Sequence, residues 1–182
     1  SRDPAVAVFP GAGRVLPTDR IVASTAILVC VRNEMPDQVA RNLELILQGL
    51  DSAGVGDRFH LYVLSDTNDA VIAAAEQSRF EALGAAWRGR IALTYRRRDS
   101  NEGFKAGNIE DFCARFGARH EFAIPLDADS FMSARAILRL VRIMQANPGV
   151  GILQGLVIAM PSTSAFTRIF QFGMRLGMRS YT

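Results

Sequence analysis

Residues 25–34 read TAILVCVRNE. The unbroken apolar and β-branched run from Thr25 to Val31 has the length of a strand buried on both faces, and the polar RNE ends it abruptly. Such a strand belongs to a parallel sheet, so helical patterns must separate it from its neighbours. They do. Pro36 opens a helix with Val39, Leu43, Ile46, Leu47 and Leu50 on one face, and Gly54 and Gly56 punctuate its end. Phe59–Leu64 reads as a second strand, Ala70–Trp87 as a helix and Ile91–Tyr95 as a third strand. Ile109, Phe112, Cys113 and Phe116 trace the inner face of a helix that Gly117 stops. Phe122–Leu126 reads as a fourth strand, Ala134–Gln145 as a helix with Ile137, Leu138, Val141 and Met144 inward, and Val150–Ile158 as a fifth strand. Alternation of this kind predicts an α/β fold, a mostly parallel sheet with helices on both faces. Residues 1–20, with three prolines and two glycines, read as a linker or extended arm, and residues 21–182 as one unit.

The composition fits a globular chain: 182 residues, 49% of them hydrophobic. No apolar run reaches the roughly 18–20 residues that cross a bilayer, no leader-like segment opens the chain, and it is expected to be soluble on its own. Cys30 and Cys113 lack metal-ligand spacing and read as reduced thiols, as in a cytosolic core. His60 and His120 stand apart from other ligand types and read as structural or surface residues. The net charge of +3 hides an asymmetry, because all 18 acids lie at or before Asp129 while residues 130–182 carry six arginines. That basic end suits an anionic membrane surface or an acidic part of a larger protein. Nucleic acid is not expected as a partner, since these arginines fall at helical intervals rather than among exposed aromatics. The segment Ser162–Thr182 puts Phe166, Ile169, Phe170 and Met174 on one helical face, as a core-facing or domain-facing helix would.

In a parallel sheet, ligands bind beyond the carboxyl ends of the strands, and here those ends are polar. The fourth strand runs into LDADSF, where Asp127 and Asp129 share a face because side chains alternate along extended backbone. Two carboxylates in one crevice repel unless a cation offsets them, and Mg²⁺ or Mn²⁺, held by carboxylates and the phosphates of a substrate, resolves that conflict. The alternative is a solvated loop with Asp capping the next helix. Lys105, in FKAGN, is the one lysine among 21 basic residues, and its compact ammonium near a helix start suits a phosphate, with Gly107 and Asn108 offering backbone amides. Glu34 and Asp66 can accept hydrogen bonds from a base or ribose, or serve only as helix caps. Arg96, Arg97 and Arg98 read as a solvated edge before they read as diphosphate ligands. The Gly11–Gly13 turn imitates a dinucleotide fingerprint, but Leu16 replaces its third glycine and Pro17 spoils the helix that must follow.

Taken in order, RNE, SD, YRRR, KAGN, GNIEDFC, LDADSFM and ANPGVGILQ resemble the family 2 inverting glycosyltransferases of the cellulose synthase type, and within them the bacterial branch that builds periplasmic glucan. The resemblance covers residues 20–180. It implies a Rossmann-like nucleotide-diphospho-sugar fold and transfer of a sugar, glucose by likeness, from a UDP-sugar to a growing glucan, in a membrane-embedded protein working at the cytoplasmic face of the inner membrane. It further implies that Glu34 and Asp66 hold the uridine, Lys105 and Asn108 the diphosphate, Asp127 the nucleotide side of the metal site, and Asp129 the Mg²⁺ or Mn²⁺ ion itself. Gln154 matches a strand position near the acceptor. Inverting transfer needs a general base, which the family takes from a later Asp, followed by a Gln-x-x-Arg-Trp motif. No acid follows Asp129 and the single tryptophan is Trp87, so the chain reads as a nucleotide-binding portion without its base. Two other readings remain at this stage: a haloacid dehalogenase-type phosphotransferase, which also ends a strand in Asp-x-Asp, and a non-catalytic nucleotide-sugar-binding scaffold.

Overall fold

The computed structural model describes Val6 and residues 9–155. The expected C-terminal helix lies outside these residues. Strands β1 (Thr25–Val31), β2 (Phe59–Ser65), β3 (Ala92–Arg97) and β4 (Phe122–Asp127) form one parallel sheet in the order β3-β2-β1-β4. Helices α1 (Pro36–Ser52), α2 (Ala70–Ala86), α3 (Phe104–Phe116) and α4 (Ala134–Ala146) connect and cover it. β1 is central: Thr25 aligns with Phe59 on one side and with Phe122 on the other, and Cys30 lies between Leu64 and Asp127.

Alternation along β1 divides the core into two layers. Ile27, Val29 and Val31 face one way, against Val39, Leu43 and Leu47 of α1, Phe80 and Leu83 of α2, and Ile137 and Val141 of α4. Ala26 and Leu28 face the other way with Tyr62 and Leu64, and there α3 supplies Phe112 with Ile109 and Phe116 beside it. Three helices on one face and one on the other satisfy the expectation of a doubly covered sheet. At about 1.5–3 kcal/mol for each large side chain removed from water, the α1 layer is the main source of cohesion.

Some boundaries differ from the sequence reading. β3 runs two residues past Tyr95, so Arg96 and Arg97 belong to the strand, and β4 carries Asp127 as its last residue. The expected fifth strand is not formed over its described part: residues 150–155 make no strand, and Ile152 is 90% exposed. Gly149, Gly151 and Gly155 raise the entropy cost of extending this segment, and residues 156–158 lie outside the described residues. The segment before β1 contains a 3-10 turn at Pro10–Arg14. From there to the strand it is fastened to α4: Gln145 accepts from the Val22 and Ala23 amides at 3.0 Å and donates to the Arg20 carbonyl at 3.1 Å, while Arg142 donates to the Asp19 carbonyl at 2.7 Å.

Within the arginine run, Arg96 and Arg98 are committed to protein partners, whereas Arg97 is exposed at the end of β3. Arg96 donates to the Asn108 carbonyl at 3.2 Å and pairs with Asp111 at 3.2 Å, which holds α3 down on the sheet. Arg97 donates to the Thr67 carbonyl at 2.9 Å. Arg98 grips both oxygens of Asp66 at 2.8 Å and donates to the carbonyls of Glu102 and Phe104, so it fixes the whole connection from β3 to α3. Its side chain is 10% exposed and that of Asp66 7%. At the opposite end of the strands, His60 stacks on Tyr62 with ring centroids 4.0 Å apart and meets Thr94 at 2.8 Å. His120 lies within 2.9 Å of both the Tyr62 hydroxyl and Ser24 Oγ. Both histidines are structural, as read from the sequence.

Two outcomes follow from these contacts. Arg98→Ala leaves a buried carboxylate without its partner and lowers the unfolding free energy by about 3–5 kcal/mol in urea titrations, whereas an exposed change such as Arg88→Ala stays within about 0.5 kcal/mol. Burial, with His120 and Arg119 adding to it, pushes the His60 imidazole from 6.5 down to about 4. The unfolded chain then binds the proton first, so stability falls as pH drops from 6.5 toward 4 and the loss saturates below that. Thermal melts across this window show a shallower decline in His60→Gln than in the parent chain.

Candidate functional site

The order β3-β2-β1-β4 reverses direction at β1, so the loops leaving β1 and β4 diverge and open a crevice above their carboxyl ends. Cys30 and Asp127 are paired in register there. Leu126 and Ala128 turn into the core, which sends Asp127 and Asp129 outward together. The side chain of Asp127 is 61% exposed and forms an ion pair with Lys105. Asp129 makes no hydrogen bond or ion pair among the described residues.

Lys105 reaches Asp127 because of how α3 begins. Gly103 caps the helix with φ 68° and Phe104 follows at φ 50°, a tight left-handed entry that glycine makes possible. Gly107 lies against the Glu102 carbonyl, where any Cβ would collide. The helix therefore starts close over the sheet end, with Lys105 in its first turn. Asn108 is placed differently from its expected contact with the diphosphate. It is 1% exposed, it donates to the Leu64 carbonyl at 3.2 Å, and its Oδ1 is without a partner among the described residues.

On the other side of the crevice, Glu34 folds back to accept from the Arg32 amide. Asn33 has φ 62°, and its side-chain oxygen accepts from the Asn68 and Asp69 amides at 3.2 Å. This binds the β1–α1 loop to the β2–α2 loop and brings Glu34 and Asp66 to the same end of the sheet. Asp66, however, directs its carboxylate to Arg98, and its carbonyl accepts from Asn101 at 2.9 Å. Gln154 is exposed beyond α4 and joins none of these contacts. The site thus assembles Lys105, Asp127 and Asp129 closely, sets Glu34 and Asp66 on the adjoining loops, and leaves Asn108 beneath it.

Two features of the site escaped the sequence reading. Cys30, read only as a core thiol, lines the crevice; burial pushes its thiol upward, and Lys105, Asp66 and Asp127 are among the charges around it. Its position one residue before the end of the run, on the face opposite Val31, was the available signal. The second is Glu76 of α2, which is buried at a position where the helix pattern calls for an apolar residue. Among the described residues, no group of three or more His, Cys, Asp or Glu side chains is gathered as for a metal. The carboxylate pair still fits a hard divalent ion whose remaining ligands are water and phosphate, because Asp127 and Asp129 are outward, oxygen-bearing and flanked by a cation that suits the same phosphates.

No family model matches the chain. Curated relatives do: it is 39% identical over 154 residues to glucans biosynthesis glucosyltransferase H of Pseudomonas paraeruginosa, covering 85% of this chain and 18% of that protein. It is 38% identical over 152 residues to the protein of the same name from Shewanella sp. strain ANA-3, covering 84% of this chain and 21% of that one. The chain spans about a fifth of the length of these relatives. Among solved structures, it is similar to the mannosyltransferase PcManGT from Pyrobaculum calidifontis in complex with GDP-mannose and Mn²⁺, with a TM-score of 0.55 over 77% of this chain and 41% of that one. At 19% identity that likeness establishes the fold alone. The chain is therefore homologous to a segment of the proteins named glucans biosynthesis glucosyltransferase H, and it carries part of a glycosyltransferase fold.

Proposed function

We propose that this chain is the donor-binding portion of an inverting glucosyltransferase, taking UDP-glucose as donor and extending a periplasmic β-glucan in the full-length protein. One observation carries the reading: Asp127, Asp129 and Lys105 converge at the β1/β4 switch point, where a parallel sheet receives its ligand. The relatives' name gives the sugar and the product, and the structural neighbour's GDP-mannose and Mn²⁺ give a parallel for nucleotide and metal.

In this reading Asp129 would be the direct ligand of Mg²⁺ or Mn²⁺, with Asp127, paired with Lys105, on the nucleotide side of the site. When bound, the ion supplies Lewis-acid stabilisation of the charge that develops on the departing diphosphate. Lys105 adds a positive charge to the same oxygens, whereas the Phe104 and Gly107 amides are taken by the Asn101 and Gly103 carbonyls at 3.0 and 2.9 Å. Asn108 supports Lys105 from below by anchoring α3 to the end of β2. Glu34 and Asp66 bound the uridine side, Asp66 through the loop that Arg98 holds against it. Residues 21–182 act as this nucleotide-sugar unit, with residues 1–20 as its connecting arm.

The acceptor's proton must go to a base elsewhere in the full-length protein, because no acid follows Asp129 in this chain. The membrane-spanning and acceptor-holding parts belong there too, at the cytoplasmic face of the inner membrane. No helix among the described residues is long and apolar enough to cross a membrane.

Titration calorimetry with UDP tests the donor site. Binding to this chain requires Mn²⁺, and Asp129→Ala weakens it at least about tenfold, equivalent to 1.4 kcal/mol. Lys105→Ala weakens it by a similar factor and flattens its dependence on ionic strength. Equal UDP affinity with and without Mn²⁺ in the parent chain would overturn the metal assignment. The chain alone transfers no glucose from UDP-glucose to a β-glucan, and a radiolabelled-sugar assay that detected transfer would refute the division of labour.

A further inference from the structure

α2 buries Ala73, Glu76, Phe80 and Leu83 along its inner stripe, so a carboxylate occupies a site that packing alone would give to leucine. Glu76 is 1% exposed and has no cationic partner in ion-pair range among the described residues. Three hydroxyls satisfy it instead. Its Oε1 accepts from Thr67 at 2.5 Å, and its Oε2 accepts from Ser65 at 2.6 Å and from Tyr95 at 3.1 Å. A buried carboxylate costs several kcal/mol unless its lone pairs are met, so these three donors are what makes the position tenable.

The direction of those bonds matters beyond the core. A hydroxyl has one proton to donate and two lone pairs to offer, whereas an ionised carboxylate only accepts. Glu76 therefore fixes the Thr67 proton inward, and Thr67 Oγ1 must present a lone pair on its other side. The group it meets there is the Asn33 amide, at 2.8 Å. Asn33 sits in the left-handed region at φ 62°, which asparagine adopts more readily than most residues and which contacts of this kind hold in place. Ser65 Oγ, its proton likewise drawn to Glu76, accepts from the Thr67 amide at 3.1 Å.

We propose that Glu76 is a positioning residue for the donor site: acting through Thr67, it locks the loop bearing Glu34 to the loop bearing Asp66, so that the two acids on the nucleoside side keep one spacing. This deepens the donor-binding reading and rests on it. Glu76 touches no ligand itself. Tyr95 shares the carboxylate but lies on β3 and has no part in the link to Asn33, which makes it an internal control. Its phenol, raised to about 12 chiefly by burial, remains a donor at any working pH.

Three variants of the 182-residue chain separate positioning from core stability, each followed by UDP titration in Mn²⁺, by hydrogen exchange at the Asn33 amide, and by thermal melting. Thr67→Val removes the relay, and Glu76→Gln removes the acceptor-only group while keeping the shape. Both weaken UDP at least tenfold and speed Asn33 exchange at least tenfold. Tyr95→Phe lowers the melting temperature but leaves UDP affinity and Asn33 exchange within about twofold. Parent-like affinity in Thr67→Val and Glu76→Gln overturns the inference alone, as does an equal loss of affinity in Tyr95→Phe, which would make Glu76 a core residue only. A parent chain that binds no UDP overturns the donor-site reading and this inference with it.

Discussion

The double pairing of β1 constrains everything else in this molecule. With β2 on one side and β4 on the other, the chain must first wind outward through β2 to β3 and then return across the sheet to reach the free side of β1. Right-handed crossovers place the helices of the outward journey on one face and the returning helix on the other, as α1 and α2 lie opposite α3. The reversal cannot be closed by backbone, because the connections leaving β1 and β4 head to different neighbours. A crevice at the carboxyl ends of these two strands is thus a product of topology, and the side chains there are free to serve a ligand.

The walls of that crevice are stiffened from behind by ionic and polar contacts, since the loops themselves bury little apolar surface. Arg98 with Asp66 and Arg96 with Asp111 hold the β3–α3 connection and the first turns of α3. Burial of Arg96 works against its charged form and Asp111 supports it, while Asp111 also pairs with Arg115 at 2.8 Å. Glu76 and its three hydroxyls do the same for the β2–α2 side. Met35, Phe104 and Phe131, each beside a proposed site residue, are exposed apolar side chains on the rim.

Much of this was legible in the sequence, for identifiable reasons. The length and β-branched content of a continuous run such as TAILVCV point to a strand buried on two faces, and the period of Val39, Leu43, Leu47 and Leu50 gives both the helix and its inner side. Asp127 and Asp129 were readable as exposed acids flanking the buried Ala128, although the strand ends at Asp127 and Asp129 lies in the turn that follows. What stayed hidden depended on partners distant in sequence. Whether Arg96 and Arg98 meet solvent or protein is decided by Asp111 and by Asp66, 32 residues from Arg98. No local pattern encodes that pairing. Nor does a glutamate on a helix of alanines reveal that three hydroxyls from β2, β3 and their loops converge on it. The segment after Gly149 misled for the opposite reason: Val150, Ile152 and Leu153 have strand-like composition, but pattern alone does not supply a neighbour to pair with.

Charge accounting sharpens what the proposed site demands of its ligand. Asp127 and Asp129 carry two negative charges against one positive charge on Lys105, so the cluster is anionic by one and repels a diphosphate. Arg96 and Arg98 do not correct this, because they are already matched to Asp111 and Asp66, and Arg97 lies on β3, at the opposite edge of the sheet from β4. Only an added divalent cation turns the cluster positive. In the proposed donor site metal and nucleotide would then bind as a pair, since phosphates alone would meet net repulsion from the two carboxylates. Lys105, paired with Asp127, keeps the first carboxylate from standing uncompensated, while Asp129 has no hydrogen-bond or ion-pair partner among the described residues and would be open to the proposed ion.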